Sequence, residues 1–85
     1  DMDNTVNQLL GAAFGSSGER CMALSVAVAL GKEAGDTLVA KMKEAMAPLK
    51  IGECSDKSND FGPVITQEHK DKVVGCIDSA EVQGA

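Results

Sequence analysis

Cys21 is the residue of this chain with the strongest potential for covalent chemistry. It follows a glycine-punctuated stretch, Gly15 to Gly18, and stands directly after Arg20. A cysteine attacks as the thiolate, which a neighbouring guanidinium favours, and a tight exposed turn would leave the sulfur open to approach. The glycines would also leave backbone N–H groups free for a developing oxyanion. These residues make Cys21 a candidate nucleophile, and they leave open the alternative of a buried, inert cysteine at a strand edge.

Two further residues could contribute to a site around Cys21. Arg20 could bind a substrate carboxylate, although support of the thiolate or a surface salt bridge would explain it as well. Ser25, four residues after Cys21, would lie on the same side of a strand, because side chains alternate with a period of two. It could equally be a core residue.

The remaining potential ligands and thiols suggest no metal site. The cysteines number three, at positions 21, 54 and 76, and no Cys-x-x-Cys pair occurs. This pattern argues against a disulfide framework or a zinc site and fits a reducing compartment. His69 is expected to face solvent, because no other side chain is spaced to join it as a ligand. We assign no role to Cys54 or Cys76.

Composition limits the class of protein. The chain has 85 residues, a formal net charge of -5, two Phe, no Tyr and no Trp. A chain of this size has a thin core, because it buries only about 60–65% of its unfolded surface. The acidic balance argues against nucleic-acid binding, and the longest apolar run is too short to span a membrane. No signal peptide is recognisable.

Hydrophobic spacing predicts three helices around the Cys21 turn. The first would start at Asn4 with Asp3 as its cap, contain a buried Gly11, and end at a left-handed Gly15. The second would run from Ala34 to about Ala47. Its apolar face would comprise Leu38, Met42, Ala45, Met46 and Leu49, with Lys41, Lys43 and Glu44 facing water.

The third predicted helix follows a polar loop. Pro48 should end the second helix, after which Leu49 and Ile51 are expected to turn back into the core. Residues 52–64 are rich in Gly, Ser, Asp and Asn and predict a loop. Thr66 can cap the third helix, and Gly84 would close it. Its buried stripe would comprise Val73, Ile77 and Ala80, with Cys76 beside them.

The apolar run from Met22 to Leu30 predicts a β-strand covered on both faces. A buried helix segment is the competing interpretation, since periodicity alone does not separate the two. No second strand of comparable quality is present, and a lone strand would leave its backbone groups unpaired. We therefore expect an α/β fold of which this chain is one segment, in the order helix, Cys turn, strand, helix, loop, helix, and mostly helical within these residues.

The stretch from Phe14 to Cys21, FGSSGERC, resembles the active-site cysteine motif of the aldehyde dehydrogenase superfamily. Residues 18–28, GERCMALSVAV, resemble its CoA-acylating methylmalonate-semialdehyde dehydrogenase branch, whereas many other branches carry Gln in place of Glu19. The resemblance continues through residues 49–52, 62–66, 71–73, 77–78 and 83–85 and covers essentially the whole chain.

The resemblance implies that Cys21 is the nucleophile and that its backbone N–H forms half of an oxyanion hole. It implies NAD and coenzyme A as co-substrates, no metal, and oxidation of methylmalonate or malonate semialdehyde to propionyl-CoA or acetyl-CoA. Residues 1–85 would form part of the catalytic domain, without the nucleotide-binding domain and without a cofactor-binding residue. Two alternatives stay open: a hydrolytic branch of the family, and a non-catalytic helical interaction module.

The resemblance also sets expectations about context. The parent protein would be a homotetramer in the cytoplasm, or in the mitochondrial matrix of a eukaryote, with no nucleic-acid or membrane partner. The isolated chain would be inactive and would self-associate through its unpaired strand. The stretch Asp60 to Val64, DFGPV, resembles the family's E-x-F-G-P-V cofactor motif, but Asp60 stands one place too close to Phe61. We interpret it as a turn before the third helix.

Overall fold

A computed structural model describes residues 1–85 and contains three α-helices. They are α1 (Met2–Phe14), α2 (Lys32–Met46) and α3 (Gln67–Val82), and a tight turn over Gly15–Gly18 follows α1 directly. None of the helices has the length and apolar character needed to cross a bilayer.

The first helix begins two residues earlier than its sequence predicts. Asp1 is its cap, because the Asp1 side chain accepts hydrogen bonds from the N–H groups of Asp3 and Asn4 at 3.1 and 3.4 Å. The prediction of Asp3 as the cap was therefore wrong. Asp3 instead forms an ion pair with Lys41 of α2. The Lys41 side chain is half exposed, so it reaches water as expected while it pairs with Asp3.

The packed part of the molecule lies between α1 and α2. Val6, 4% exposed, is the one fully buried residue. Half-buried apolar residues extend this contact along both helices: Leu9, Leu10, Ala13, Phe14, Leu38, Met42 and Ala45. Gly11, expected to be buried, is exposed, and a Cβ there would meet no atom within 4 Å.

Residues 23–29 have no regular secondary structure and pair with no strand, so the β-strand predicted for Met22 to Leu30 does not form within these residues. The Leu24 N–H donates instead to the Ala12 carbonyl of α1 at 3.2 Å. Most of the run is open to solvent, with Val26, Val28 and Leu30 between 76 and 88% exposed. The reason is that a strand needs a neighbouring strand for its backbone groups, and none of these 85 residues supplies one.

The loop between α2 and α3 is closed by contacts near its two ends. Ile51 and Phe61 form an isolated parallel bridge, and the Lys50 N–H donates to the Asp60 carboxylate at 2.8 Å. Leu49 is half buried, whereas Ile51 is 62% exposed, so only the first of the two turns inward as expected.

The third helix has the predicted cap but not the predicted burial. Thr66 Oγ1 accepts from the His69 N–H at 3.1 Å, and the helix ends at Val82, just before a left-handed Gly84 with φ of 95°. The stripe of Val73, Ile77 and Ala80 is exposed, because α3 packs against neither α1 nor α2.

Candidate functional site

The loop that leads to Cys21 has an unusual backbone. Ser16, Ser17 and Gly18 adopt left-handed conformations, with φ of 54, 56 and 76°. Gly15, predicted to be the left-handed residue, has φ of -53° and ψ of 129° instead. Each non-glycine residue in this region costs about 1–3 kcal/mol and persists only where surrounding contacts hold it. One such contact is the hydrogen bond that Ser17 Oγ donates to the Gly62 carbonyl.

Two glycines of this loop make room for close neighbours. A Cβ at Gly15 would come within 3.0 Å of Arg20 Cζ, and one at Gly18 within 3.1 Å of the Ala13 carbonyl oxygen. The Arg20 guanidinium therefore lies over Gly15, beside the last turn of α1. A cation is favourable there because carbonyl oxygens give a helix C-terminus partial negative charge.

Arg20 has no carboxylate partner, since the ion pairs of the structure join Lys32 with Asp36, Lys41 with Asp3 and, when the imidazole is protonated, His69 with Glu19. The surface salt bridge that was one alternative for Arg20 is therefore absent. Its guanidinium keeps its hydrogen-bond donors free for an anionic ligand.

Cys21 lies in an exposed turn at the end of the loop, not at a buried edge. The turn is closed by a hydrogen bond from the Ala23 N–H to the Arg20 carbonyl at 3.0 Å. The Cys21 N–H has no acceptor within the protein. Sulfur and a free backbone donor therefore occur at one residue, as attack on a carbonyl with stabilisation of the resulting oxyanion requires.

A groove of about 490 Å³ separates the loop from the segment that leads into α3. Its walls are formed by Ser16, Ser17 and Glu19 on one side and by Cys54, Gly62 to Thr66 and His69 on the other. Cys21 is not among the lining residues. The DFGPV stretch thus forms part of a wall and leads into the Thr66 cap, as its interpretation as a turn requires.

His69 lies across this groove from the loop, and its Nε2 is 2.6 Å from Glu19 Oε1. Its side chain is 39% exposed, so it is partly open to solvent as expected, but it also contacts Glu19, two positions before Cys21. Sequence reasoning missed this pair because 50 residues separate its members. The left-handed Ser16 and Ser17 were missed too, since serine carries no signal for positive φ.

The structure does not place Ser25 in the same groove. Ser25 lines a separate apolar cleft of about 180 Å³, whose walls include Leu9 of α1 and Leu38 of α2. Cys76 is exposed on α3. Cys54 lies against Gly62, where an added Cβ would come within 2.7 Å of its sulfur. No group of three or more His, Cys, Asp or Glu side chains is arranged to hold a metal ion.

Comparison with known proteins shows similarity along the whole chain. Residues 1–85 match the model of the aldehyde dehydrogenase family. All 85 residues align with the malonate-semialdehyde dehydrogenase of Pseudomonas aeruginosa at 49% identity. The chain spans only 17% of the length of that relative.

Solved structures show the same similarity in three dimensions. The methylmalonate-semialdehyde dehydrogenase of Oceanimonas doudoroffii is 71% identical over 99% of this chain, with a TM-score of 0.96. A protein assigned as the same enzyme in Sinorhizobium meliloti, solved with NAD, is 45% identical over 100% of the chain, with a TM-score of 0.95. Each comparison covers 17% of the solved chain.

Proposed function

Because this chain belongs to the aldehyde dehydrogenase family, we propose that it carries the nucleophile of an NAD-dependent, CoA-acylating dehydrogenase of malonate or methylmalonate semialdehyde. The observation that carries the proposal is the similarity, over essentially the whole chain, to enzymes named for these two semialdehydes. The exposed Cys21 with its free backbone N–H supports the same chemistry.

Cys21 is the nucleophile in this proposal. Its thiolate attacks the aldehyde carbon, so that a C–S bond forms while the carbonyl π bond opens to an oxyanion. The Cys21 N–H donates to this oxyanion. The carbon then loses a hydride as the C=O bond forms again, which leaves a thioester on Cys21.

Two co-substrates complete the reaction. NAD supplies the chemistry of hydride acceptance when bound; none of residues 1–85 is assigned to hold it. The thiol of coenzyme A then attacks the thioester carbon, and Cys21 leaves as a thiolate. The bond between the α-carbon and the substrate carboxylate breaks with loss of CO2, its electron pair stays on the α-carbon as an enolate, and this carbon takes up a proton. The product is then acetyl-CoA or propionyl-CoA.

Arg20 is proposed to bind the carboxylate of the semialdehyde. Support comes from its position next to Cys21 and from its lack of a carboxylate partner. A guanidinium matches a carboxylate in a planar, two-pronged geometry, which a lysine ammonium does not provide. Ser25, which lines the apolar cleft, is proposed as a second substrate-binding residue.

The proposal extends to the fold of the parent protein. Residues 22–30 would become a strand of an α/β catalytic domain once neighbouring strands are supplied from other parts of the chain, and the nucleotide-binding domain would lie outside residues 1–85. The open backbone and apolar side chains of this segment support that placement. A homotetramer in the cytoplasm or mitochondrial matrix is proposed by analogy alone.

The experiment uses the full-length protein with methylmalonate semialdehyde, NAD and coenzyme A, and follows NADH together with the acyl-CoA product. Cys21→Ala should lower kcat at least about 10³-fold, because no other group replaces the nucleophile. Cys76→Ala, on the exposed face of α3, is the matched control and should retain activity. Equal activity of the two variants would overturn the proposal.

Omission of coenzyme A separates the proposal from a hydrolytic member of the family. NADH formation should then stop after one equivalent per active site. Continued turnover with release of a free acid would favour hydrolysis. Absence of NADH formation with any aldehyde, together with equal alkylation of Cys21 and Cys54, would favour a non-catalytic module.

A further inference from the structure

We propose that His69 is a positioning residue for Cys21, acting through Glu19 to fix the loop that carries the nucleophile. The inference rests on the proposed function, because it assigns a role to a residue outside the Cys21 motif. It depends on the 2.6 Å contact between His69 Nε2 and Glu19 Oε1 across the groove.

The contact is the only side-chain hydrogen bond that joins α3 to the first half of the chain. The other side-chain bonds of α3 stay within the helix or its cap, as between Gln67 and Asp71. Because α3 packs against neither α1 nor α2, the pair determines where the beginning of α3 meets the loop.

The loop needs such a contact because its backbone is strained. Ser16 and Ser17, both left-handed, are separated from Glu19 only by Gly18, which is left-handed too. Non-glycine residues in this conformation persist only where neighbours hold them. The hydrogen bond from Ser17 to the Gly62 carbonyl fixes the middle of the loop. Glu19 and His69 fix its end, two residues before the sulfur.

His69 is itself held in place. Its backbone N–H donates to Thr66 Oγ1 at 3.1 Å, so it belongs to the capped first turn of α3. An imidazole ring on a capped helical turn has a better-defined position than one on a flexible loop. Loss of the ring would leave Glu19, whose side chain is 53% exposed, free to follow solvent and the loop free to relax.

The test compares His69→Leu with His69→Gln in the full-length protein. Leucine removes the donor, whereas glutamine retains an N–H that can reach the Glu19 carboxylate. His69→Leu should lower kcat with the semialdehyde and the rate of Cys21 alkylation by iodoacetamide by about tenfold to a hundredfold, because small misplacement of a nucleophile is costly. His69→Gln should recover most of both rates.

Gln67→Leu is the matched control. It removes the 2.7 Å hydrogen bond to Asp71 in the same turn of α3 without touching the loop, and both rates should stay at the wild-type level. Equal rates in His69→Leu and Gln67→Leu, or failure of His69→Gln to recover, would overturn the proposal.

A substitution of Glu19, on the loop side of the contact, keeps the proposal testable if a His69 variant misfolds. Glu19→Leu should reproduce the effect of His69→Leu, and the double variant should be no slower than either single variant, because both remove the same interaction. Additive losses would contradict the proposal. Alkylation of Cys21 requires no substrate. Its rate therefore tests the positioning role of His69 even if the wild-type protein does not oxidise the semialdehyde and the proposed function is wrong.

Discussion

The pair α1–α2 and the helix α3 differ in their surroundings. All three helices carry apolar residues at helical spacing. In α1 and α2 these residues meet each other, around a buried Val6. In α3 they meet no other helix, and Val73, Val74 and Ile77 are 40 to 64% exposed. The comparison teaches that an amphipathic pattern determines which face of a helix is apolar, but not whether a partner covers it.

The exposed face of α3 and the open run of residues 22–30 also explain the thin core of this chain. Apolar burial contributes about 25 cal/mol per Å², and most of the large apolar side chains outside α1 and α2 gain little of it here. Both surfaces are therefore available to whatever further chain or partner lies against them.

The largest expected effect comes from a charge placed on each apolar face. Val6→Asp should destabilise the α1–α2 pair by several kcal/mol, because it buries an unpaired carboxylate. Val74→Asp, on the exposed α3, should change the free energy of unfolding of the 85-residue chain by no more than about 0.5 kcal/mol. Urea unfolding followed by circular dichroism measures both.

The same two substitutions in the full-length protein sharpen the comparison. If Val74→Asp destabilises the full-length protein nearly as much as Val6→Asp, the apolar face of α3 is covered in the full-length protein. A neutral Val74→Asp in that setting would instead make the difference between the two regions intrinsic to the protein.

A second expected effect concerns the solvent-exposed apolar segment, residues 22–30. The isolated chain should self-associate in a concentration-dependent manner, and Val28→Lys should weaken this association about tenfold to a hundredfold, because covering one valine contributes about 1.5–3 kcal/mol. Sedimentation velocity at several concentrations measures it. Lys57→Gln, in the polar loop, is the control and should leave association unchanged. A monomeric wild-type chain would exclude residues 22–30 as an association surface.

The smallest expected effect is the pH dependence of the α1–α2 contact. The hydrogen bond and the charge of Lys41 hold the pKa of the Asp3 carboxyl below its ordinary value, and Asp3 likewise raises the pKa of the Lys41 ammonium. The stabilisation from Asp3 is present above its unfolded pKa, about 3.9, and is lost as the pH falls through the lower folded pKa. The stabilisation from Lys41 is lost only as the pH rises through its folded pKa.

The contribution should therefore be present between about pH 4 and pH 10 and weaken with salt, because the pair is on the surface. Asp3→Asn should remove it. Thermal unfolding of this variant and of the wild type at pH 3 and pH 7 measures the difference. If the difference in unfolding temperature between Asp3→Asn and the wild type is as large at pH 3 as at pH 7, the Asp3–Lys41 ion pair does not cause it.

The sequence was most informative where the signal is local. Thr66 as the cap of α3 was confirmed because a threonine before a polar first turn satisfies its own neighbours' N–H groups. The resemblance at Cys21 to the aldehyde dehydrogenase family was confirmed because the motif is short, contiguous and specific. The cap of α1 was wrong because Asp1 and Asp3 are both suitable residues, and the choice depended on Lys41 of another helix.

The sequence by itself therefore determined the helices, the cap of the third, the position of the candidate nucleophile and the family. Only the tertiary structure decided which apolar faces are covered, that residues 22–30 lack a strand partner, and that His69 meets Glu19. The physical reason is the distance along the chain over which each interaction acts. Caps, turns and helical spacing act between residues within about four positions of each other, whereas burial, strand pairing and the contact across the groove depend on residues far apart in the chain.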